Sequence, residues 1–308
     1  MRLLQLKVLL LLVLSFVLLT ACSSNEDTTT NTSEDAKPYH NDNLLISVDW
    51  LKENLNNEEL LILDARGEDD YLKGHVPGSI PVSWQQLSNM DGSPGDEDWG
   101  VVLDAAQLSE RLSALGVSAD KTIVIYGNPN SWGEDGRIIW MLQLAGIQGK
   151  MLNGGWTAWE AAGEVTKEVT EPVPSNFSVA ELDYSLFAST DWLSQNYEQL
   201  VVVDTRTKKE FDGATDFGEA RGGHIPGSIN LPFKELYNND STIKSQAEIE
   251  KIMEDLGINK EDTVVTYCTA GIRSAHMTLI LKMAGYENAK NYDASIYEWA
   301  KIDALPLD

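Results

Sequence analysis

The chain has 308 residues, 43% of them hydrophobic, and a formal net charge of −25; it is long enough for two cores of typical domain size. A surplus of carboxylates this large argues against nucleic-acid binding and against electrostatic attachment to anionic lipid. It also poses a problem for any anionic substrate, whose long-range repulsion local arginines near a site would have to overcome.

At the N-terminus, Arg2 and Lys7 precede an apolar run from Val8 to Leu19, and small residues close it in Leu19-Thr20-Ala21-Cys22. A charged start, an apolar middle and small residues at the cleavage point describe an export signal over residues 1–21. The last four residues resemble a bacterial lipobox. That resemblance implies that Cys22 carries lipid such as palmitate, becomes the first residue of the mature chain, and anchors it to a membrane of the bacterial cell envelope, outside the cytoplasm. The apolar run is short for a span of roughly 20 residues, which disfavours a plain transmembrane anchor. Removing Arg2 and Lys7 from the 23 basic residues leaves 21 against 48 acidic ones, a net charge of −27. Residues 22–42 are polar and without periodicity, a flexible tether.

From Leu44 an internal repeat begins, with a period of about 140 residues, which is a domain duplication and too long for a solenoid unit. The first copy (43–170) carries Leu60-Leu-Ile-Leu-Asp-Ala-Arg66, Tyr71, Gly74-His-Val-Pro-Gly-Ser-Ile80 and Trp84. The second (181–308) carries Leu200-Val-Val-Val-Asp-Thr-Arg206, Phe211, Gly223-His-Ile-Pro-Gly-Ser-Ile229 and Phe233. Farther on, Asn153-Gly-Gly-Trp-Thr-Ala-Trp159 corresponds to Asp293-Ala-Ser-Ile-Tyr-Glu-Trp299. A linker at 171–180 contains Glu171-Pro-Val-Pro-Ser175, whose two prolines prevent regular structure. The apolar runs 60–63, 123–126, 201–203 and 264–267 read as strands buried on both faces. Asp104 to Leu115 and Gln246 to Leu256 carry helical spacing and stop at Gly116 and Gly257. Alternating strands and helices predict two α/β domains, each with a mostly parallel central sheet flanked by helices. Ligands of such sheets bind beyond the carboxyl ends of the strands.

Cys268 follows the strand 264–267 and so lies at that edge. A strand that feeds a short loop and then a helix aims backbone N–H groups and the positive end of the helix dipole at one point. A thiol there loses its proton easily, and the thiolate is the reactive form. With Cys22 lipidated, Cys268 is the one free thiol, a candidate nucleophile for covalent chemistry on an anionic substrate held by the loop Thr269-Ala270-Gly271-Ile272 and Arg273.

Together, the paired Asp-x-Arg and Gly-His-x-Pro-Gly-Ser-Ile motifs and the Cys268-x-x-Gly271-x-Arg273-Ser274 loop resemble the rhodanese family. The duplication, Arg221-Gly-Gly-His224 and Tyr292-Asp-Ala-Ser-Ile-Tyr-Glu-Trp299 resemble its tandem-domain sulfurtransferases, and the likeness runs from about Leu44 to the C-terminus. It implies a catalytic C-terminal domain and an inactive N-terminal partner. Where the second copy has Tyr267-Cys268 the first has Tyr126-Gly127, followed by a longer loop with Glu134 and Asp135. That loop is expected to be a remnant that packs against the other domain. The resemblance further implies that Cys268 takes sulfur from a small anionic donor, thiosulfate or 3-mercaptopyruvate, and passes it as a persulfide to cyanide or a thiol. Export favours thiosulfate, because mercaptopyruvate is a cytosolic metabolite. Arg273 either binds the donor's anionic end or braces the loop, with binding or electrostatic support favoured, and Arg221 is a candidate donor-binding residue near the mouth of the site.

Asp204, Arg206 and His224 recur in the copy without a thiol as Asp64, Arg66 and His75, which assigns them to the fold. His276, after the loop, reads as a helix-face residue rather than a general base. Asp91 to Asp98 lacks the order of a calcium loop and reads as solvated. The spacing implies no metal and no cofactor, and the chain is expected to be monomeric. Two rivals remain: a persulfide carrier or binding lipoprotein without efficient turnover, and a phosphatase of the same fold. The Cys-x4-Arg spacing makes a cradle one residue smaller than the Cys-x5-Arg of such phosphatases.

Overall fold

The computed structural model describes residues 39–308; the export signal, Cys22 and most of the tether lie outside the described residues. In the N-terminal repeat, β-branched and leucine runs form the strands β1 (Leu45–Ile46), β2 (Leu60–Asp64), β3 (Ile80–Pro81), β4 (Thr122–Tyr126) and β5 (Gly149–Leu152). Between and after them come the helices α1 (Val48–Asn54), α2 (Glu68–Tyr71), α3 (Ala105–Ala114), α4 (Glu134–Leu144) and α5 (Gly155–Ala162). The C-terminal repeat follows the same plan. Its strands are β6 (Phe187–Ala188), β7 (Val201–Asp204), β8 (Ile229–Asn230), β9 (Val264–Tyr267) and β10 (Lys290–Tyr292). Its helices are α6 (Thr190–Asn196), α7 (Lys208–Phe211), α8 (Gln246–Asp255), α9 (Ile272–Met283) and α10 (Ser295–Lys301).

Each repeat builds a five-stranded sheet, in the orders β1-β5-β4-β2-β3 and β6-β10-β9-β7-β8. Every pairing between these strands is parallel, so the sheets go beyond the expected mostly parallel arrangement. Parallel strands need helical crossovers that cover both faces, which is why β4 and β9 are rich in apolar residues and, Thr122 at the start of β4 apart, buried. Local chemistry sets the helix ends. Asp104 accepts the N–H of Gln107 to start α3, and a reciprocal Ser245–Glu248 box starts α8. Gly116 and Gly257, at φ of 78° and 75°, stop the same two helices in a conformation that costs glycine no Cβ clash.

The two repeats do not keep their cores apart. One apolar cluster runs through both repeats, from Leu61 and Ile125 through Ile138 and Met141 to Ala275, Leu279 and Met283. Its centre is the packing of α4 on α9. Both helices are buried almost all round, because each covers its own sheet and the other helix at once. Two smaller clusters fill the outer faces of the sheets. The linker lies on the first repeat, where Ser175 N–H donates to the carbonyl of Ser113 at 2.9 Å.

Candidate active site

The Asp-x-Arg pairs are the scaffold of each strand end. In the second repeat Arg206 forms a two-pronged pair with Asp204, at 3.0 and 2.7 Å, and donates to the Gly223 carbonyl at 2.8 Å. The first repeat repeats the arrangement with Arg66, Asp64 and the Gly74 carbonyl. These pairs tie the end of the second strand of each repeat to the turn before the third strand. His224 accompanies them, stacked on Phe211 with centroids 3.6 Å apart and with Nδ1 at 3.0 Å from the Phe211 carbonyl; His75 stacks on Tyr71 in the same way. In both repeats these side chains bind one part of the fold to another.

Cys268 is the residue directly after β9, and its side chain is 1% exposed. Three positions on, Gly271 adopts φ 75° and opens α9, a turn that leaves the loop amides pointing inward. Ser274 Oγ lies 3.6 Å from the sulfur. Burial pushes the Cys268 thiol up, but the charge of Arg273, the N–H and hydroxyl of Ser274 and the N–H of Ala270 outweigh it, and the thiol sits below its ordinary range.

Arg273 reaches the sulfur only through its field. Its guanidinium grips the carboxylate of Glu210 at 3.0 and 2.7 Å and donates to Thr269 Oγ1 at 2.7 Å, with all three residues buried. That geometry favours bracing and electrostatic support over a free cation for the donor. Burial opposes the charge on Glu210, yet its bonds to Arg273 and Thr207 bring the carboxyl down to about 2. Thr269, assigned to substrate binding, spends its hydroxyl on this pair, whereas Thr269, Ala270 and Ile272 all line the pocket above the thiol.

Arg221 is corrected. Its guanidinium donates to the carbonyls of Ala300, Trp299 and Ile302 at 2.8, 3.1 and 2.8 Å, and it does not line the pocket. A cation placed on the last carbonyls of α10 satisfies groups that a helix end leaves without partners. Its side chain is turned to α10 rather than to the pocket.

Several residues escaped the sequence. Ser295 stands at φ 58° and is fully buried. Its hydroxyl accepts the N–H of Cys268 at 3.1 Å and donates to the Tyr292 carbonyl at 2.8 Å. The matching position in the first repeat is Gly155, at φ 53°, which was the available signal: a serine where the duplicate needs glycine. The next two amides of α10, from Ile296 and Tyr297, donate to the carbonyls of Cys268 and Thr269, both at 3.1 Å.

Arg137 is the larger omission. It is fully buried in α4, pairs with Asp293, and donates to the carbonyl of Gly271 at 3.2 Å and of Gly100 at 2.9 Å. Asn291 donates to the same Gly271 carbonyl at 3.3 Å. A trans peptide sets C=O and N–H in opposite directions, so holding this carbonyl on the Arg137 side points the Ile272 N–H the other way. The N-terminal repeat therefore fixes one peptide of the cysteine loop.

The longer first-repeat loop does pack against the other domain. Gly133 and Gly136 leave so little space that a Cβ would lie 2.9 and 2.3 Å from His276 atoms. His276, expected on a helix face, is fully buried there, with Nε2 2.6 Å from Tyr237 Oη and Nδ1 3.2 Å from Asp135. The acidic loop 91–98 is mostly exposed but is not wholly solvated. Its Asp98 N–H donates to Glu298 on α10 at 3.1 Å.

The pocket over Cys268 has a volume of about 310 Å³ and is walled by both repeats. Trp84, Trp99, Trp132 and Glu134 come from the first, Phe217 and Tyr297 from the second. A buried thiol held below its ordinary range, under a glycine-opened helix start and in a pocket of small-molecule size, is fitted to nucleophilic attack.

The rhodanese-like domain profile matches residues 47–162 and again 189–302. The chain is similar to the sulfur carrier protein TtuD of Thermus thermophilus, at 32% identity over 87% of this chain and 98% of that protein. It is likewise similar to the thiosulfate sulfurtransferase of Corynebacterium glutamicum, at 31% identity over 88% of this chain and 92% of that one. Among solved structures, the anaerobic ergothioneine biosynthesis enzyme of Chlorobium limicola matches with a TM-score of 0.76 and 21% identity, over 87% of this chain and 71% of that chain. At that identity the likeness is one of fold.

Proposed function

Because the chain belongs to the rhodanese-like family and is a sulfurtransferase, we propose that it moves sulfane sulfur from thiosulfate, or from 3-mercaptopyruvate, to cyanide or a thiol through a persulfide on Cys268. The observation that carries this reading is the buried thiol of Cys268 at the foot of α9, with Ser274 Oγ 3.6 Å from its sulfur. The thiolate attacks the outer sulfur of thiosulfate. The donor's S–S bond breaks and sulfite leaves with the electron pair. An acceptor nucleophile then attacks the outer sulfur of the Cys268 persulfide and the thiolate returns, a ping-pong cycle. Thiosulfate sulfurtransferase relatives at about 30% identity support the donor. A persulfide carrier with slow turnover is the second reading, favoured by the similarity to a protein named as a sulfur carrier.

Intact mass of the protein after incubation with each donor tests both readings. A gain of one sulfur atom, removed by cyanide and absent from Cys268→Ser, is expected. Fast release to cyanide marks an enzyme and slow release a carrier, while no gain with either donor defeats both. The same proposal holds that the protein is a lipid-anchored envelope protein, supported by the leader 1–21 that directly precedes Cys22. Among the described residues no helix is long and apolar enough to cross a membrane. Expression of the full chain in a bacterial host with labelled palmitate should label it, and Cys22→Ala should abolish the label; retained label would refute lipidation at this site.

A further inference from the structure

The excess negative charge makes the pocket's own charges informative. Among the described residues that line it, Arg273 is the one cation, and Glu210 already holds it. Glu134 also lines the pocket, its carboxylate bonded to Ser131 Oγ at 2.7 Å and the Trp132 N–H at 3.1 Å. Gln85 and the cysteine loop apart, the remaining walls are aromatic. Trp84 meets Trp99 at 81°, and Trp99 meets Tyr297 at 84°, with centroids 6.4 and 5.6 Å apart. Opposite chain segments contribute Trp132 and Phe217, 5.2 Å apart at 89°. Rings at right angles make the walls of an open box, and one cation already uses it: the Arg273 guanidinium lies 4.9 Å from the Trp132 ring centroid.

Loop amides at the floor suit the anionic end of a donor, but they do not account for five aromatic rings and a carboxylate. Ring faces attract organic cations, and a carboxylate adds to that attraction. A volume of about 310 Å³ also suits an organic molecule rather than cyanide alone. We infer that the sulfur acceptor of this pocket is an organic thiol whose body carries an ammonium group, held in the aromatic box beside Glu134.

This inference rests on the sulfur-transfer reading. The acceptor thiolate attacks the outer sulfur of the Cys268 persulfide. The bond between the two sulfurs breaks, the electron pair returns to Cys268, and the acceptor leaves as its own persulfide.

The test uses thiols of one chemistry and three charges: thiocholine, 2-mercaptoethanol and 3-mercaptopropionate. Persulfide-loaded protein is mixed with each, and rates are compared at equal thiolate concentration. Thiocholine should exceed mercaptopropionate by about tenfold or more, the size of one or two cation–π contacts. The ratio should shrink with added salt, which screens Glu134. Trp99→Leu and Glu134→Gln should each bring it toward one, and because it is a ratio, partial loss of folded or loaded protein does not move it. In parallel, choline is titrated against the intrinsic tryptophan fluorescence of unloaded protein, with propionate as control; a saturable response to choline alone is expected. Equal rates, or a preference for mercaptopropionate, overturn the inference while leaving sulfur transfer standing. Failure to load from any donor overturns the transfer reading and, with it, the acceptor's role.

Discussion

In the C-terminal repeat β9 gives way to Cys268, and three positions later Gly271 opens α9; in the N-terminal repeat β4 gives way to Gly127, and six positions pass before Gly133 opens α4. Counting from these glycines, Arg273 of the live loop falls where the other has Asp135. One reversal of sign separates a helix start that lowers a thiol from one that could not hold a thiolate. Yet the loop without a nucleophile is not idle. Its helix supplies Arg137 to the Gly271 carbonyl and Glu134 to the pocket, and its loop supplies Trp132. Duplication here produced one pocket from two unequal halves, with the thiol in one and much of the wall and bracing in the other.

The largest effect expected from breaking that division is Arg137→Ala. It leaves Asp293 fully buried without its cation, and losing one partner of a buried pair costs about 3–5 kcal/mol. The midpoint of urea unfolding should fall, and sulfur loading of the folded fraction should slow because the Gly271 peptide is no longer pinned. Burial already holds the Asp293 carboxyl above its ordinary range, so Asp293→Asn in the same chain should recover part of the stability. Wild-type stability and loading in Arg137→Ala would mean that the N-terminal repeat is a passive cover.

A smaller effect is expected inside the live half. After burial, which pushes the Cys268 thiol up, the Arg273 charge is the first influence that brings it down. Arg273→Gln removes that charge, so the thiol should ionise at higher pH, and at neutral pH a smaller share is thiolate. The pH profile of iodoacetamide alkylation should shift upward, and a profile that stays in place or moves down would show that the loop amides alone set the thiol.

Sequence made the place of Cys268 after β9 and the frame legible for a plain reason. Strand runs, helix stops and the duplicated Asp-x-Arg and His-x-Pro-Gly turns are local signals, and each is confined to a few neighbouring residues. The strand 264–267 and the stops at Gly116 and Gly257 stand where their residues placed them. What stayed hidden is pairing across distance. Glu210 looks like an ordinary helix-cap acid beside Thr207, and nothing local ties it to Arg273, 63 positions away. Arg137 and Asp293, 156 positions apart, meet only because α4 packs on α9. Arg221 misled for the same reason: proximity to the turn motif in sequence says nothing about the three carbonyls at the end of α10 that its side chain reaches.

The comparison of halves is sharpened most by an expected zero. Gly127→Cys, placed in a Cys268→Ser background, restores a cysteine to the position after β4. A Cβ there would lie 2.9 Å from Asp135 Cγ, closer than real contacts come, and 3.1 Å from its Oδ2, so Asp135 would have to shift. The new sulfur would also face a carboxylate where Cys268 has the field of Arg273, and a neighbouring anion disfavours the thiolate. Intact mass after thiosulfate treatment should therefore show no added sulfur, and the variant should unfold at lower urea than its Cys268→Ser parent. If the variant did load sulfur, the sign of the residue after the glycine turn would not be what separates the halves. The difference would then reduce to the missing thiol, with Asp135 and the longer loop as later drift in a copy that kept its amide cradle.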